Sequence, residues 1–201
     1  MSHKSILFAG LAAALIFSMA PGQSQPAAQA AQPAPGPDLA ALVQKQFGKT
    51  FTVPAGFPTP LITADFDGDG VEDVAIVAVS KEPIPDSFEF KYKVIDPYNG
   101  YFGMGNPSIT TAFGSADPKH KHELVVIFGA GAEAWRAAVP KAKFVMVNLP
   151  FDTIEVGRML VKKNKPPINV IKAREAEVMD SAVFWEEKHK RWRWEPGGTP
   201  N

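Results

Sequence analysis

Residues 65–79 have the sequence Asp-Phe-Asp-Gly-Asp-Gly-Val-Glu-Asp-Val-Ala-Ile-Val-Ala-Val, an acidic turn that leads directly into an apolar stretch. Every position from 74 to 79 is apolar, which favours a strand that is buried on both faces. Gly68 and Gly70 supply the backbone freedom that a tight turn demands. The stretch therefore predicts a polar turn at the start of a strand that is buried on both faces.

Carboxylates recur in this turn at loop positions 1, 3, 5 and 9. They belong to Asp65, Asp67, Asp69 and Asp73. Calcium is a hard cation that takes six to eight oxygen ligands, and the backbone carbonyl of position 7, Val71, would add one more. Carboxylates this close repel one another unless a cation or protonation relieves them. We interpret the turn as a calcium site, and the alternative is a solvated acidic turn before a strand.

The turn resembles the calcium loop of FG-GAP and VCBS repeats, which occur in integrin-type β-propellers and in many exported bacterial proteins. The matching residues, 64–77, are Ala-Asp-Phe-Asp-Gly-Asp-Gly-Val-Glu-Asp-Val-Ala-Ile-Val. A helix–loop–helix calcium site carries Glu at position 12, whereas this chain has Ile76 there, so we expect Asp73 to close the site. The resemblance implies direct ligation by Asp65, Asp67, Asp69, Asp73 and the Val71 carbonyl. A propeller needs several copies of the motif and we find one here, so we carry over the loop and not the propeller.

Apolar periodicity on either side of this stretch predicts an α+β domain with a mainly antiparallel sheet of about seven strands and one or two short helices. Asp38 is expected to cap an amphipathic helix that ends at Gly48. Apolar and charged side chains alternate from 88 to 94, which predicts a half-buried strand. Further strands are predicted at residues 124–128, 144–149, 154–161, 168–171, 181–186 and 191–195. A short helix is expected at 132–139, and residues 96–122 show no clear element.

The last two predicted strands form a hairpin in which Trp192 and Trp194 share one face. We expect both indoles to pack against the sheet, because a tryptophan contributes a large apolar area to a core. The alternative is a sugar- or peptide-binding face, since Arg191 and Arg193 lie beside them.

The N-terminal residues predict export. Lys4 precedes a run of 15 largely apolar residues, 6–20, which is typical of a secretory signal and short for a membrane span. We expect a signal peptide within residues 1–30, cleaved between 20 and 30, with no stable membrane span afterwards; an uncleaved anchor is the alternative. Residues 21–37 predict a Pro/Ala/Gln-rich linker, and 38–198 a single domain. The mature protein would be periplasmic or secreted.

Composition excludes several classes of protein. The chain has 201 residues and no cysteine, so disulfides, iron–sulfur clusters, thiolate zinc sites and cysteine nucleophiles are absent. Lys plus Arg and Asp plus Glu both number 21, which argues against a dedicated nucleic-acid binder. No hydrolase elbow, zinc-protease helix or P-loop motif occurs in the sequence, and no catalytic residue is assigned.

Two weaker patterns have alternatives. His120 and His122, followed by Glu123, could hold zinc or copper on a strand face, but a third ligand is not evident and a polar loop is favoured. The segment 129–131, Gly-Ala-Gly, matches a strand-to-helix turn better than a phosphate-binding fingerprint.

These patterns favour an exported calcium-binding domain with a non-catalytic structural or binding role in the cell envelope, its partner an envelope protein or a glycan. The alternative is a hydrolase of an envelope polymer in which calcium is a structural ion. Two carboxylates that converge in a deep pocket would favour that alternative.

Overall fold

The computed structural model describes residues 38–114, 121–161, 163–176 and 178–197. These residues have an α+β architecture with ten strands in two sheets. The strands are β1 Phe51–Thr52, β2 Leu61–Ala64, β3 Asp73–Ser80, β4 Lys93–Ile95, β5 Glu123–Phe128, β6 Ala142–Met146, β7 Thr153–Met159, β8 Ile168–Glu175, β9 Met179–Glu186 and β10 Arg191–Pro196. The α-helices are α1 Leu39–Phe47, α2 Ser87–Phe90, α3 Pro97–Tyr101 and α4 Pro107–Gly114, and 3-10 helices span Gly131–Arg136 and Glu187–His189.

The first sheet is built around β3, with the order β1-β3-β5-β6-β4, and β2 also pairs with β3. Every pairing is antiparallel except that of β4 with β6. Residues 73–78 are all buried, because both faces of the sheet are covered. The prediction of a strand buried on both faces is confirmed.

The second sheet is an antiparallel meander with the order β10-β9-β8-β7. Its inner face packs on the first sheet in one core cluster, to which Ala75, Val126, Ile171 and Val183 all belong. The predicted C-terminal hairpin is present, with Trp192 opposite Trp185 and Trp194 opposite Val183. Both Trp192 and Trp194 are buried in this core, which confirms the packing interpretation of the two indoles.

Helix α1 covers the opposite face of the first sheet. Asp38 caps it by accepting a hydrogen bond from the Ala41 amide at 3.0 Å, and the helix ends at Gly48 with φ of 104°. Val43 and Phe47 are buried against the sheet. The helix confirms the prediction from capping and apolar spacing.

Three sequence predictions need correction. The sheets contain ten strands rather than about seven, and the described residues form more helices than the one or two expected. Residues 88–94 are not one strand: α2 ends at Phe90 and is capped by Lys91, which has a left-handed conformation, and β4 begins only at Lys93. Phe88, expected on the buried face of that strand, is 94 % exposed. Helices α3 and α4 lie in the segment 96–122, where no element was predicted.

The predicted signal peptide at 1–30 and linker at 21–37 lie outside the described residues. Among the described residues, no helix is long and apolar enough to cross a membrane.

Candidate metal centre

The acidic turn connects β2 to β3, and its ends meet where Ala64 pairs with Asp73. The second sheet also holds the turn in place, because the Asn169 side-chain amide on β8 donates to the Asp65 carbonyl at 2.8 Å. The turn is therefore fixed by both sheets of the fold.

The Asp65 carboxylate organises the first half of the turn. Its Oδ1 accepts hydrogen bonds from the amides of Gly68 at 2.7 Å and Asp69 at 3.1 Å. Its Oδ2 accepts from the amide of Gly70 at 2.9 Å. Gly68 and Gly70 have φ of 80° and 87°, in the left-handed region that glycine adopts at low cost. The chain thus curls around a carboxylate because two glycines allow it.

Asp67 and Asp69 each use one oxygen within the turn. Asp67 Oδ1 accepts from the Asp69 amide at 3.2 Å, and Asp69 Oδ1 accepts from the Val71 amide at 2.8 Å. Their Oδ2 atoms both accept from Nζ of Lys141, each at 2.6 Å. The Lys141 ammonium lowers the pKa of Asp69, and the two carboxylates raise the pKa of Lys141. A cationic side chain therefore already neutralises part of the charge of the turn.

Asp73 closes the turn as a buried carboxyl. Its Oδ2 accepts from the amides of Phe66 at 2.8 Å and Asp67 at 3.3 Å, and its Oδ1 accepts from the amide of Gly129 at 2.8 Å. Burial raises the pKa of Asp73 to about 6, although these three hydrogen bonds oppose the shift. Asp73 thus connects the turn to the end of β5.

Gly129 follows β5 at a point of close backbone approach. A Cβ on this residue would collide with the Glu72 carbonyl oxygen and would lie 2.8 Å from the Ala134 carbonyl carbon. The 3-10 helix that carries Trp135 begins two residues later, so the expected strand-to-helix turn is present. Glycine is required here so that the Gly129 amide can reach Asp73.

The Glu72 side chain contacts the 3-10 helix Gly131–Arg136. Its carboxylate accepts a hydrogen bond from Trp135 Nε1 at 2.8 Å and lies 3.9 Å from the Arg136 guanidinium. Glu72 therefore attaches the turn to the 3-10 helix.

Three of the four aspartates predicted to bind a metal form one group. Asp65, Asp67 and Asp73 each offer a carboxylate oxygen, and these atoms lie within 4.8 Å of one another. This group could hold a metal ion. Asp69 is not part of it, and its second oxygen contacts Lys141. Lys141 itself was not predicted, because it is more than 70 residues away in the chain and belongs to no motif.

The histidine pattern gains no support as a second site. His120 lies outside the described residues. The His122 ring packs against Phe57 and Phe151, with centroids at 5.3 and 5.9 Å, and burial lowers its pKa. Within the described residues, the aspartate group is the one cluster with metal-ligand spacing.

A cleft of about 510 Å³ opens between α3 and β10. Its aromatic lining comprises Tyr101, Phe144, Trp185, Trp192 and Trp194. Asp96 is the single carboxyl among the lining residues, and it accepts hydrogen bonds from the side-chain amides of Asn99 at 2.9 Å and Asn148 at 2.5 Å. The lining of this cleft therefore lacks the pair of converging carboxylates that a glycoside hydrolase uses.

Comparison of the chain with models of protein families, with curated proteins and with solved structures found no match.

Proposed function

We propose that this protein is an exported calcium-binding domain with a non-catalytic structural or binding role in the cell envelope. The observation that carries the proposal is the group of Asp65, Asp67 and Asp73, whose oxygens lie within 4.8 Å of one another at the junction of the two sheets. An ion bound there would neutralise the turn and strengthen the connection between β3 and the rest of the fold.

The donor set supports calcium. Its ligating atoms are carboxylate oxygens, which suit hard cations, and no sulfur or imidazole contributes to the group. Magnesium demands near-ideal octahedral geometry and releases its water reluctantly, whereas calcium accepts irregular sets of six to eight oxygens. In the proposed site, Asp69 and the Val71 carbonyl join the three grouped aspartates as ligands. The resemblance to FG-GAP and VCBS loops supports the same ligand set.

For Asp69 to ligate, its Oδ2 must leave Lys141, whose Nζ lies 2.6 Å away. Asp69 is placed suitably for such a change, because its side chain is only partly buried and its other oxygen is held by the Val71 amide.

The binding role is proposed for the cleft between α3 and β10, where an envelope protein or a glycan would contact the accessible aromatic side chains of the lining, Tyr101 and Trp185. Aromatic side chains provide the broad apolar contact that both kinds of partner use. The lining of this cleft does not favour the hydrolase alternative, since it includes one carboxyl, which accepts hydrogen bonds from amide side chains.

Calcium binding is tested by calorimetric titration of the folded domain after treatment with a chelator. We expect a dissociation constant of about 0.1–1 mM, as in extracellular calcium modules, and weaker binding of magnesium. Asp67→Ala removes a central ligand and should abolish the calorimetric signal. Binding heats that are the same for the parent and for Asp67→Ala would exclude this site.

Export is tested by sequencing the N-terminus of the protein isolated from its native host. The apolar run at 6–20 and the linker at 21–37 predict a mature protein that starts between residues 21 and 31. A major species that starts at Met1 or Ser2 in the cytoplasmic fraction would contradict export without bearing on calcium.

A further inference from the structure

Lys141 occupies an unusual position for a surface lysine. It directly precedes β6, and its backbone amide donates to the Phe128 carbonyl at 3.0 Å. This bond fixes the base of the side chain beside Gly129, the residue whose amide holds Asp73. The ammonium group then reaches two carboxylates of the turn, Asp67 and Asp69, at 2.6 Å each.

The two carboxylates differ in how strongly they depend on this cation. The Asp67 side chain is only 3 % exposed, so water can do little to solvate its charge. The Asp67 Oδ2 atom accepts a hydrogen bond from Lys141. The other oxygen, Oδ1, accepts from the Asp69 amide within the turn. The Lys141 side chain is 47 % exposed and can turn into solvent without opening the core.

We infer that Lys141 is a built-in substitute cation, which neutralises the turn when calcium is absent and which calcium must displace from Asp67 and Asp69 in order to bind. The inference rests on the proposed calcium function and adds to it a mechanism that sets the affinity. Lys141 keeps the turn formed at low calcium, and it weakens the affinity because its ion pairs must be broken first.

The expected size of this effect follows from the strength of ion pairs made by a lysine that is about half exposed. Two such pairs correspond to about a 2- to 30-fold change in the dissociation constant. Lys141→Met keeps most of the aliphatic stem and removes the charge. This variant should bind calcium about 2- to 30-fold more tightly than the parent. Without calcium it should melt about 1–8 °C lower, because the carboxylates of the turn then repel one another.

Lys172 provides a matched control. Its side chain is also 47 % exposed and forms an ion pair, 3.6 Å from Glu155, on the second sheet away from the turn. Lys172→Met makes the same change in net charge, so it should leave the calcium dissociation constant within a factor of two. Lys141→Gln serves as a second, neutral variant that keeps a hydrogen-bond donor, in case the methionine variant does not fold.

The experiment is calorimetric titration of the parent and these variants with calcium chloride. Tighter binding by Lys141→Met or Lys141→Gln, with Lys172→Met unchanged, supports the inference. An unchanged dissociation constant in both Lys141 variants overturns it and leaves the calcium function intact. If the parent binds no calcium and the Lys141 variants do, the inference holds and the proposed function fails. If none of the proteins binds calcium, both are overturned.

Discussion

A buried carboxyl lies at each end of β3, Asp73 on the strand itself and Glu123 on the neighbouring β5, and the surroundings of the two carboxyls differ. Asp73 begins the strand, and Glu123 lies beside its last residue, where its Oε2 accepts from the Ser80 amide at 2.8 Å. Burial raises the pKa of Asp73 to about 6 and that of Glu123 to about 7. Desolvation therefore acts alike at both ends, and it does not distinguish a candidate metal site from an ordinary buried acid.

The two carboxyls differ in the groups that surround them. Asp73 accepts three backbone amides and shares its site with the carboxylates of Asp65 and Asp67. Glu123 accepts a single hydrogen bond from another residue, the Ser80 amide. Within the described residues, it belongs to no cluster of carboxylates with metal-ligand spacing. An ionised carboxyl at the Asp73 end is anchored and close to other oxygens, as a cation requires. At the Glu123 end, burial raises the pKa and so stabilises the neutral acid relative to an exposed glutamate.

The largest expected effect is the loss of Asp73. Asp73→Ala leaves three amides without an acceptor, two of them in buried hydrogen bonds worth about 1–3 kcal/mol each, while removing the cost of burying the carboxylate. We expect a net destabilisation of about 2–4 kcal/mol, measured by urea unfolding in the presence of a chelator. Glu123→Ala leaves one amide without its acceptor and should lower the free energy of unfolding by about 1 kcal/mol or less. Equal losses in the two variants would show that the donors around Asp73 do not anchor the turn.

A pH-dependent effect is expected at Glu123. Its pKa is raised from 4.5 to about 7 in the folded state, so the folded protein binds the proton more tightly than the unfolded chain does. The contribution of Glu123 to stability is complete below pH 4.5 and is lost as the pH rises through about 7. Glu123→Gln keeps an acceptor for the Ser80 amide and cannot ionise.

Glu123→Gln should therefore be more stable than the parent by about 2–3 kcal/mol at pH 8, and nearly equal to it at pH 4.5. Denaturant unfolding at the two pH values measures the difference. Glu155→Gln, which alters an exposed carboxyl on the second sheet, should change stability by about 0.5 kcal/mol or less. A constant difference between Glu123→Gln and the parent at both pH values would show that Glu123 does not titrate with folding.

Features with a local cause could be predicted from the sequence. Helix α1 has a capping aspartate, regular apolar spacing and a terminal glycine, and β3 has an unbroken apolar run. The acidic turn could be identified because its carboxylates and glycines are neighbours in the chain.

Features that depend on the tertiary fold were missed. Residues 88–94 alternate as a strand would, yet α2 places Phe88 in solvent, and Tyr92 packs between Phe47 and Phe51 with centroids at 5.5 and 5.8 Å. The packing of Tyr92 against α1 and β1 therefore determines the local structure more strongly than the alternating sequence pattern does. Lys141, just before β6, and Asn169, on β8, reach the turn from distant parts of the chain, and nothing in their local sequence marks them.

Added calcium should stabilise the Asp73 end of β3 and leave the Glu123 end unaffected. At about 1 mM free calcium and a dissociation constant of about 0.1 mM, binding adds about 1.4 kcal/mol of stability. For a domain of this size, that is a rise of about 3–6 °C in melting temperature.

Thermal unfolding of the parent with a chelator and with calcium is the most direct test of this account. We predict the rise in the parent, its near disappearance in Asp67→Ala and in Asp69→Ala, and its retention in Glu72→Ala, whose carboxylate contacts Trp135 instead. A parent melting temperature that stays unchanged up to about 10 mM calcium, well above the expected dissociation constant, would contradict the account and leave the turn as an acidic loop neutralised by Lys141.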